Sequence, residues 1–141
     1  MIQIRIHHSS PLSSSFNLSP FCTLLAKELK ITKDFIDISF VDPKSIQEIN
    51  KRYLNHDYVT DIITFNLGSI THIEGDIYIC PEEAKKNALA WKCSLEDELK
   101  RLIIHGFLHL LDYTDYTDND KQLMKQEEDR LLTHLSQLEI Q

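Results

Sequence analysis

The sequence predicts a single α+β domain over residues 1–141, in which a mixed sheet of about four strands packs with about five helices. Four short segments rich in Ile, Phe and Tyr have the composition and the Gly or Pro boundaries of strands. About five longer segments carry helix start signals and apolar stripes. A length of 141 residues with 42% hydrophobic content is enough for one ordinary core, so one domain accounts for the whole chain.

The N-terminal half alternates strands and helices. IQIRIHH (2–8) places Ile at every second position, which predicts a half-buried strand at an edge of the sheet. SSPLSSSFNLSP (9–20) has the Ser and Pro density of a loop, and its Ser19-Pro20 pair predicts the N-cap of a helix over roughly 20–30. FIDISFVD (35–42) predicts the second strand, and Asp42-Pro43 repeats the cap signal before the next helix.

The C-terminal half supplies two more strands and then three helices. DIITFNLG (61–68) and GDIYICP (75–81) are predicted strands, and EEAKKNALAWK (82–92) places acids at the positive end of a helix dipole. Capping boxes at 94–97 and 117–120 predict the starts of the last two helices. In LEDELKRLIIHGFLHLL (95–111) the second half is apolar nearly all round, which predicts a central buried helix.

Composition excludes several classes of protein. The net charge of -7, from 22 acidic against 15 basic residues, argues against broad affinity for nucleic acid, although it permits a local basic patch, and no DNA partner is expected. Three cysteines without a CxxC pair argue against a disulfide framework or a cysteine zinc site and favour a reducing cytoplasm. No window approaches the ~18 apolar residues of a membrane span, so no membrane partner is expected.

The stretch HGFLHLLDYTD (105–115) predicts a metal site at the end of the central helix. His105 and His109 are four residues apart, so both imidazoles project from one face and can reach one ion. The third ligand must follow the helix. Asp112 can adopt the left-handed conformation that ends a helix, which places Asp115 to close the site, while Asp112 and Asp118 remain alternatives.

Two neutral histidines and one carboxylate are the ligands of several catalytic zinc sites that keep a fourth position for water. Water bound to zinc can ionise near pH ~7 and act as a nucleophile. Gly106 occupies the position where H-E-x-x-H peptidases carry their glutamate, which argues against peptidase chemistry and predicts a close backbone approach. The alternative is that the two histidines only satisfy hydrogen bonds in a core without metal.

Four motifs resemble those of the YbeY endoribonucleases, the bacterial rRNA maturation factors. HGFLHLLDYTD resembles the H-G-x-L-H-L-x-G-Y-D-H signature, and INKRYLNHDYVTDIITF (49–65) resembles L-N-x-x-Y-R-x-x-D-x-x-T-[DN]-V-L-S-F. GDIYIC (75–80) and MKQEEDRLL (124–132) are similar to the G-D-I-x-I-x strand and the closing M-x-x-x-E helix of that family. The motifs occur in the family order over roughly residues 36–132.

The resemblance implies a cytoplasmic, metal-dependent, single-strand-specific endoribonuclease that processes the 3′ end of small-subunit rRNA and takes part in ribosome quality control. RNA, the ribosome and small-subunit ribosomal proteins are the implied partners. The implied cofactor is one Zn²⁺ ion, other divalent metals being possible, held in the family by three histidines that correspond to His105, His109 and, by position, Asp115. These three are also the implied catalytic residues.

Several positions depart from the family pattern. Leu54 follows Tyr53 at the position where the family has an arginine that acts on the RNA phosphate. Arg52, two positions earlier, could replace that arginine only if the helix has ended before Arg52. Tyr53, Arg52 and Asp61 are the predicted substrate-binding residues, and Asp61 is also a candidate to orient a ligand histidine. Asp112 and Thr114 replace the glycine and aspartate of the signature.

Other residues are candidates for RNA contact on the metal-bearing face. Exposed aromatic rings can stack bases, and basic side chains can bind phosphates. The aromatic candidates are Tyr53, Tyr58 and Phe65, of which Phe65 is also a core candidate, and the basic candidates are Arg5, Lys51, Arg52, Lys85, Lys86 and Arg101.

A second interpretation is a ribosome-assembly or RNA-binding factor whose metal is structural, and the loss of the arginine at Leu54 favours it. The two interpretations differ in whether purified protein turns RNA over. A third, a domain whose histidines are satisfied in the core, predicts no stoichiometric metal.

Overall fold

Six helices and four strands make up the computed structural model over the residues that it describes, which are 2–31, 34–69 and 71–140. In chain order they are β1 (Gln3–His8), α1 (Pro11–Ser14), α2 (Ser19–Glu28), β2 (Phe35–Phe40), α3 (Pro43–Leu54), β3 (Ile62–Asn66), β4 (Glu74–Ile79), α4 (Pro81–Trp91), α5 (Leu95–Leu110) and α6 (Asp118–Ile140). The predicted α+β class and four-stranded mixed sheet are confirmed. The additional helix is α1.

Helix α1 lies inside the Ser-rich segment that was predicted to be a loop. Ser10 caps it by accepting a hydrogen bond from the backbone N–H of Leu12 at 3.4 Å, and Pro11 occupies its first position. Prediction of the next helix start was wrong by one residue, because Leu18 rather than Ser19 is the N-cap of α2 and Pro20 lies in its first turn. Proline fits the first turn, where N–H groups lack partners in any case, so its presence locates a helix start only approximately.

The sheet has the strand order β1-β2-β4-β3. Strands β1, β2 and β4 are parallel, and β3 pairs antiparallel with β4, so β1 is an edge strand as predicted and β3 forms the opposite edge. The register aligns Ile6, Ile38 and Ile77 across three strands on one face. That face packs against helices α2 and α5, α6 packs on these two helices, and together they form the main core.

A smaller apolar cluster lies where α3 meets the end of the sheet near β3. Its fully buried members are Val41, Ile46, Ile63 and Cys80, and Phe65 and Tyr78 pack against them half-buried. Because the side chains of a strand alternate between faces, Ile63 and Phe65 belong to this cluster while Ile62 and Thr64 point towards the main core side. Strand β3 therefore separates α3 from the side of the sheet on which α5 lies.

Helix α5 is the central buried helix that the sequence predicts. Ser94 caps it by accepting a hydrogen bond from the N–H of Asp97 at 3.0 Å. Gly106 lies against the sheet, and a Cβ atom at that position would be 2.8 Å from Cδ1 of Ile77, so the predicted close approach is confirmed. After α5 ends, Asp112 adopts the predicted left-handed conformation with φ of 69° and turns the chain back towards the helix.

Helix α6 starts where the second capping box predicts, with the Thr117 hydroxyl accepting a hydrogen bond from the N–H of Asp120 at 3.0 Å. The residues that it buries recur at helical spacing: Met124, Glu128, Leu131 and Leu135. This packing brings α6 alongside α5. Among the helices of the described ranges, none combines the length and the apolar character needed to cross a membrane.

Candidate metal centre

Two imidazoles meet at the C-terminal end of α5. Nε2 of His105 and Nε2 of His109 are 3.0 Å apart, and the rings are inclined at 77° to each other. Both side chains are mostly buried, with 22% and 27% of their surface exposed. The four-residue spacing that suggested a shared ion therefore places the two Nε2 atoms side by side near the surface, where one ion can contact both.

Asp115 completes a group of three ligands. Its Oδ2 atom is 3.8 Å from Nε2 of His105 and 3.7 Å from Nε2 of His109. A point equidistant from the three atoms lies about 2 Å from each, which is the distance at which zinc binds imidazole nitrogen and carboxylate oxygen. Within the described residues, these three side chains form the group able to hold one metal ion, and the alternatives Asp112 and Asp118 lie outside it.

A buried carboxylate on α6 holds the ring of His105. Oε2 of Glu128 is 2.6 Å from Nδ1 of His105, and Nη1 of Arg101 lies 3.6 Å from the other oxygen of Glu128. Accepting the Nδ1 proton fixes the tautomer in which Nε2 carries the free lone pair, as a metal ligand requires. The sequence suggested Asp61 for this role, and the structure assigns it to Glu128.

The two ligand histidines have opposite electrostatic surroundings. Burial lowers the pKa of His105, but the hydrogen bond and charge of Glu128, with the charges of Asp115 and Asp61, outweigh burial and leave this pKa raised. Burial, reinforced by the neighbouring His105, lowers the pKa of His109. His109 is therefore the histidine that stays neutral more readily. His105 must give up its Nε2 proton to become a ligand, while its Nδ1 proton stays in the hydrogen bond to Glu128.

Two surface clefts meet at these ligands. The β3 cleft, of about 560 Å³, runs between the β3 edge and the chain after α5, and its lining includes Thr64, Asn66, Tyr113 and Tyr116. The α6 cleft, of about 650 Å³, runs between α4 and α6, and its lining includes Trp91, Arg101, Lys121 and Lys125. Both clefts are lined by Asp61, Ile62, His105 and Asp115, so the proposed metal position lies where they join.

Asp61 lies beside the ligands without a hydrogen bond to either histidine in the described structure. Its Oδ2 atom accepts a hydrogen bond from the side-chain amide of Asn87 at 2.9 Å, and Asn87 also lies 3.4 Å from the Glu98 carboxylate. The interpretation of Asp61 as the carboxylate that orients a ligand histidine is therefore wrong. Its place in both clefts keeps it available for contact with substrate.

Arg52 and Tyr53 lie on α3, beyond the β3 strand. Helix α3 continues to Leu54 and ends with Asn55 at φ of 59°, so Arg52 is helical and the condition under which it would replace the missing arginine is not met. The Tyr53 ring is 63% exposed and packs edge-on against Phe65 at 5.6 Å. Neither residue is among those that line the two clefts.

The predicted basic surface beside the metal does not form as expected. Of the six candidates, Arg101 lines the α6 cleft, but it is paired with Asp129 at 2.6 Å. Lys51 and Lys86 pair with neighbouring acids, and Arg5 lies over the Phe35 ring at 4.9 Å. Lys121 and Lys125 were not among the predicted basic residues, although their four-residue spacing on the predicted last helix was a signal that both share a face.

Comparisons with known proteins agree on one family. A family model described as "Endoribonuclease YbeY" matches residues 14–136. A protein of that name from Flavobacterium psychrophilum is 45% identical over 97 residues, covering 69% of each chain, and one from Karelsulcia muelleri is 39% identical over 112 residues, covering 79% of each. The solution structure of TM1509 from Thermotoga maritima matches with a TM-score of 0.72 and 26% identity, over 94% of this chain and 89% of that one.

Proposed function

The chain belongs to the YbeY family and is an endoribonuclease, a hydrolase acting on RNA, and from that premise we propose that its cleavage is metal-dependent and specific for single strands. We further propose that its substrate is the 3′ region of small-subunit rRNA and that it takes part in ribosome quality control. The ribosome and small-subunit ribosomal proteins are then its partners, and the cytoplasm is its location.

The observation that carries the metal-dependent mechanism is the convergence of two Nε2 atoms and one carboxylate oxygen at the junction of two clefts. The donor set suits Zn²⁺, which accepts nitrogen and carboxylate ligands, although other divalent ions share these preferences. We propose His105, His109 and Asp115 as both metal ligands and catalytic residues. When bound, such an ion supplies a nucleophilic water at neutral pH and stabilises negative charge on the phosphate.

The protein's own groups prepare this site. Glu128 holds the Nδ1 proton of His105, which keeps the lone pair of Nε2 directed to the junction. The left-handed turn at Asp112 returns the chain so that Asp115 faces the helix. Because these groups are fixed before substrate arrives, little reorganisation is needed during the reaction.

The meeting of two separate clefts at the ligands supports a single-stranded substrate, because a flexible strand can bend to follow both clefts. Asp61, which lines both clefts, is a proposed substrate contact through a sugar hydroxyl or a base N–H group. Arg52 and Tyr53 are proposed contacts for RNA that extends past β3, since both lie outside the clefts on an exposed part of α3.

The proposal is tested by cleavage of a labelled single-stranded RNA from the 3′ region of small-subunit rRNA. We expect purified protein to cleave it, to lose activity with a chelator and to regain it with Zn²⁺. His109→Ala should abolish cleavage. His7→Ala, which removes an exposed histidine of β1 that pairs with Asp37 of β2, should not. Cleavage that survives His109→Ala would exclude this site as its source.

A second candidate function is a non-catalytic RNA-binding or ribosome-assembly role with a structural metal. The observation that favours it is Leu54, 44% exposed at the position of the family arginine, where it offers no phosphate contact. The same assay separates the two functions. Binding of the RNA without turnover by metal-loaded protein would support this role over the nuclease.

A further inference from the structure

We propose that the α6 cleft is a nucleotide-binding subsite, in which Trp91 stacks against one RNA base and Lys121 and Lys125 bind the adjoining phosphates. The inference rests on the proposed function in taking single-stranded RNA as the ligand. It predicts that the nucleotide on the α6 side of the metal position is the one that the protein binds most tightly.

The first argument is continuity with the metal position. The α6 cleft is lined by His105 and Asp115 at one end and by Trp91 and Lys125 further along. A strand whose phosphate lies at the ligands therefore has a path of about 650 Å³ in which its next nucleotide fits without leaving the surface. The β3 cleft offers the corresponding path for the other side of the strand.

The second argument is the exposure of Trp91. It is the last residue of α4 and the one tryptophan of the sequence, and 73% of its surface is exposed. Tryptophan presents a large π-face at a low entropic cost, and stacking of this kind accepts any base. Nζ of Lys125 lies over one face of the ring, 5.8 Å from its centroid, so we expect a base to stack on the other face, with the cation on the opposite side of the indole.

The third argument is the distribution of charge between the clefts. Asp61, Asp112 and Asp115 line the β3 cleft, which has no lysine or arginine among its described lining residues. The α6 cleft is also lined by carboxylates, those of Asp61, Glu98, Asp115 and Glu128, but it is the one of the two clefts that has basic side chains among its described lining residues. Among these, Lys121 and Lys125 lie one helical turn apart, and in the part of the chain that the structure describes no ion pair engages either. Arg101 in the same cleft is already neutralised by Asp129 and Glu128.

The ammonium groups of Lys121 and Lys125 can also replace the positive charge that is missing at Leu54, the position of the family arginine. Leu54 cannot bind a phosphate, and Arg52 lies on the other side of β3. Two free ammonium groups on α6 supply positive charge next to the metal position instead, in a protein whose net charge is -7. Phosphates of the strand can therefore pair with ammonium groups on the α6 side of the ligands, whereas the described lining of the β3 cleft offers none.

The experiment uses the full chain and a short 2′-O-methyl oligoribonucleotide, which resists cleavage. We expect its binding to change the fluorescence of Trp91, the single tryptophan, and a duplex of the same sequence to change it less. Trp91→Ala should weaken binding, followed by anisotropy of a labelled oligonucleotide, by about 5- to 150-fold, and Trp91→Phe should retain most of the affinity. Leu89→Ala, an equally exposed apolar side chain on α4, is the matched control.

Salt dependence tests the two lysines. The double variant Lys121→Ala/Lys125→Ala should bind more weakly and reduce the slope of log K against log salt by about 1.4, since each phosphate contact on a single strand contributes about 0.7. Lys27→Ala/Lys44→Ala makes the same change in charge on α2 and α3, outside both clefts, and should leave the slope nearly unchanged.

Unchanged fluorescence at saturation, or equal binding by Trp91→Ala and wild type, would overturn the subsite. Equal slopes for the two double variants would overturn it as well. Binding in this assay needs no turnover, so protein that fails to cleave RNA yet shows the tryptophan change would refute the nuclease and retain the subsite. If His109→Ala abolished cleavage but Trp91→Ala had no effect on binding, the nuclease would be supported and the subsite refuted.

Discussion

Oε2 of Glu128 on α6 accepts a hydrogen bond from Nδ1–H of His105 on α5, with 2.6 Å between the two atoms and the two positions 23 residues apart in sequence. The carboxylate is 11% exposed, so it is held by the packing between the two helices rather than by solvent. Docking of α6 therefore determines the orientation of a proposed metal ligand. The stability of the helix pair and the metal affinity should be linked.

Removal of this carboxylate is expected to weaken metal binding without removing a ligand. Glu128→Ala should lower Zn²⁺ affinity by about 10- to 100-fold, the usual effect of losing the partner of a ligand histidine. Glu128→Gln, which keeps an oxygen acceptor, should lie between this variant and wild type. The measurement is a competition titration against a chromophoric chelator.

Glu127→Gln is the control for this prediction, because Glu127 pairs with Arg130 on the exposed side of α6 and does not contact the ligands. Its Zn²⁺ affinity should equal that of wild type. If Glu128→Ala bound Zn²⁺ as tightly as wild type, the hydrogen bond to His105 would have no part in holding the metal.

Asp115 is predicted to be the third ligand in place of a histidine. Asp115→Ala should lose at least about tenfold in Zn²⁺ affinity, because removing a ligand should cost no less than removing a ligand's partner. Asp115→His should keep the metal, since it restores a set of three imidazoles. Elemental analysis of the purified variants beside wild type measures retention.

Asp112→Asn is the control for Asp115, since Asp112 lines the same cleft and lies outside the ligand group. It should retain metal as wild type does. Equal retention by wild type and Asp115→Ala would remove Asp115 from the ligand set, and loss by Asp112→Asn alone would transfer the role to Asp112.

Local signals in the sequence predicted the part of the site that depends on local structure. The spacing of His105 and His109 on a helix determines that both rings share a face, and the turn after Leu110 brings Asp115, five residues beyond the helix end, back to them. Period-two alternation and capping residues similarly located the strands and most helix starts. In each case the interaction that sets the geometry lies within a few residues of chain.

Tertiary contacts were the part that the sequence did not reveal. Glu128 contacts His105 only because α6 packs on α5, and the Asp61 carboxylate instead accepts a hydrogen bond from Asn87 of α4. The role of orienting the ligand histidine was therefore predicted for the wrong acidic residue. Lys121 and Lys125, two of the three basic residues that line the α6 cleft in the described structure, were missed for the same reason. Which charges converge depends on helix packing, which periodicity alone does not determine.

Gly106 should be required for the approach of α5 to the sheet. In Gly106→Ala the new Cβ would lie 2.8 Å from Cδ1 of Ile77, a fully buried side chain. Alanine favours the helix by about 1 kcal/mol, but overpacking costs about 1–3 kcal/mol, so we expect a net loss of about 1 kcal/mol in the free energy of unfolding. Urea denaturation measures it.

A double-mutant cycle identifies the cause of that loss. Ile77→Val removes the methyl group that the new Cβ would meet, and by itself should cost about 0.5–1.5 kcal/mol. In the double variant Gly106→Ala/Ile77→Val the two losses should be less than additive, with a favourable coupling of about 1 kcal/mol. Additive losses would show that the alanine destabilises α5 in another way.

Glu98 should make the protein less stable as pH rises from acid to neutral. Burial raises the pKa of this carboxyl above its ordinary value of 4.5, against the opposing hydrogen bond from Asn87. The folded state therefore keeps the proton to higher pH than the unfolded chain does. The stability that the proton provides is complete below the unfolded pKa and is lost as pH rises through the folded pKa. Its size is on the order of 1 kcal/mol for every pH unit that separates the folded pKa from the unfolded one.

Glu98→Gln removes this titration, so its stability relative to wild type should increase between pH 4.5 and 7, as measured by urea unfolding at several pH values. Glu127→Gln provides a control of opposite sign. The hydrogen bond from Arg130 lowers the pKa of Glu127 below its ordinary value of 4.5, so the stability that this carboxylate contributes is gained as pH rises through the folded pKa and is complete above the unfolded one. Relative to wild type, Glu127→Gln should therefore lose stability as pH rises towards 4.5 and change little between pH 4.5 and 7. If the two variants followed wild type in parallel at every pH, neither carboxyl would have a folded-state pKa that differs from its unfolded one.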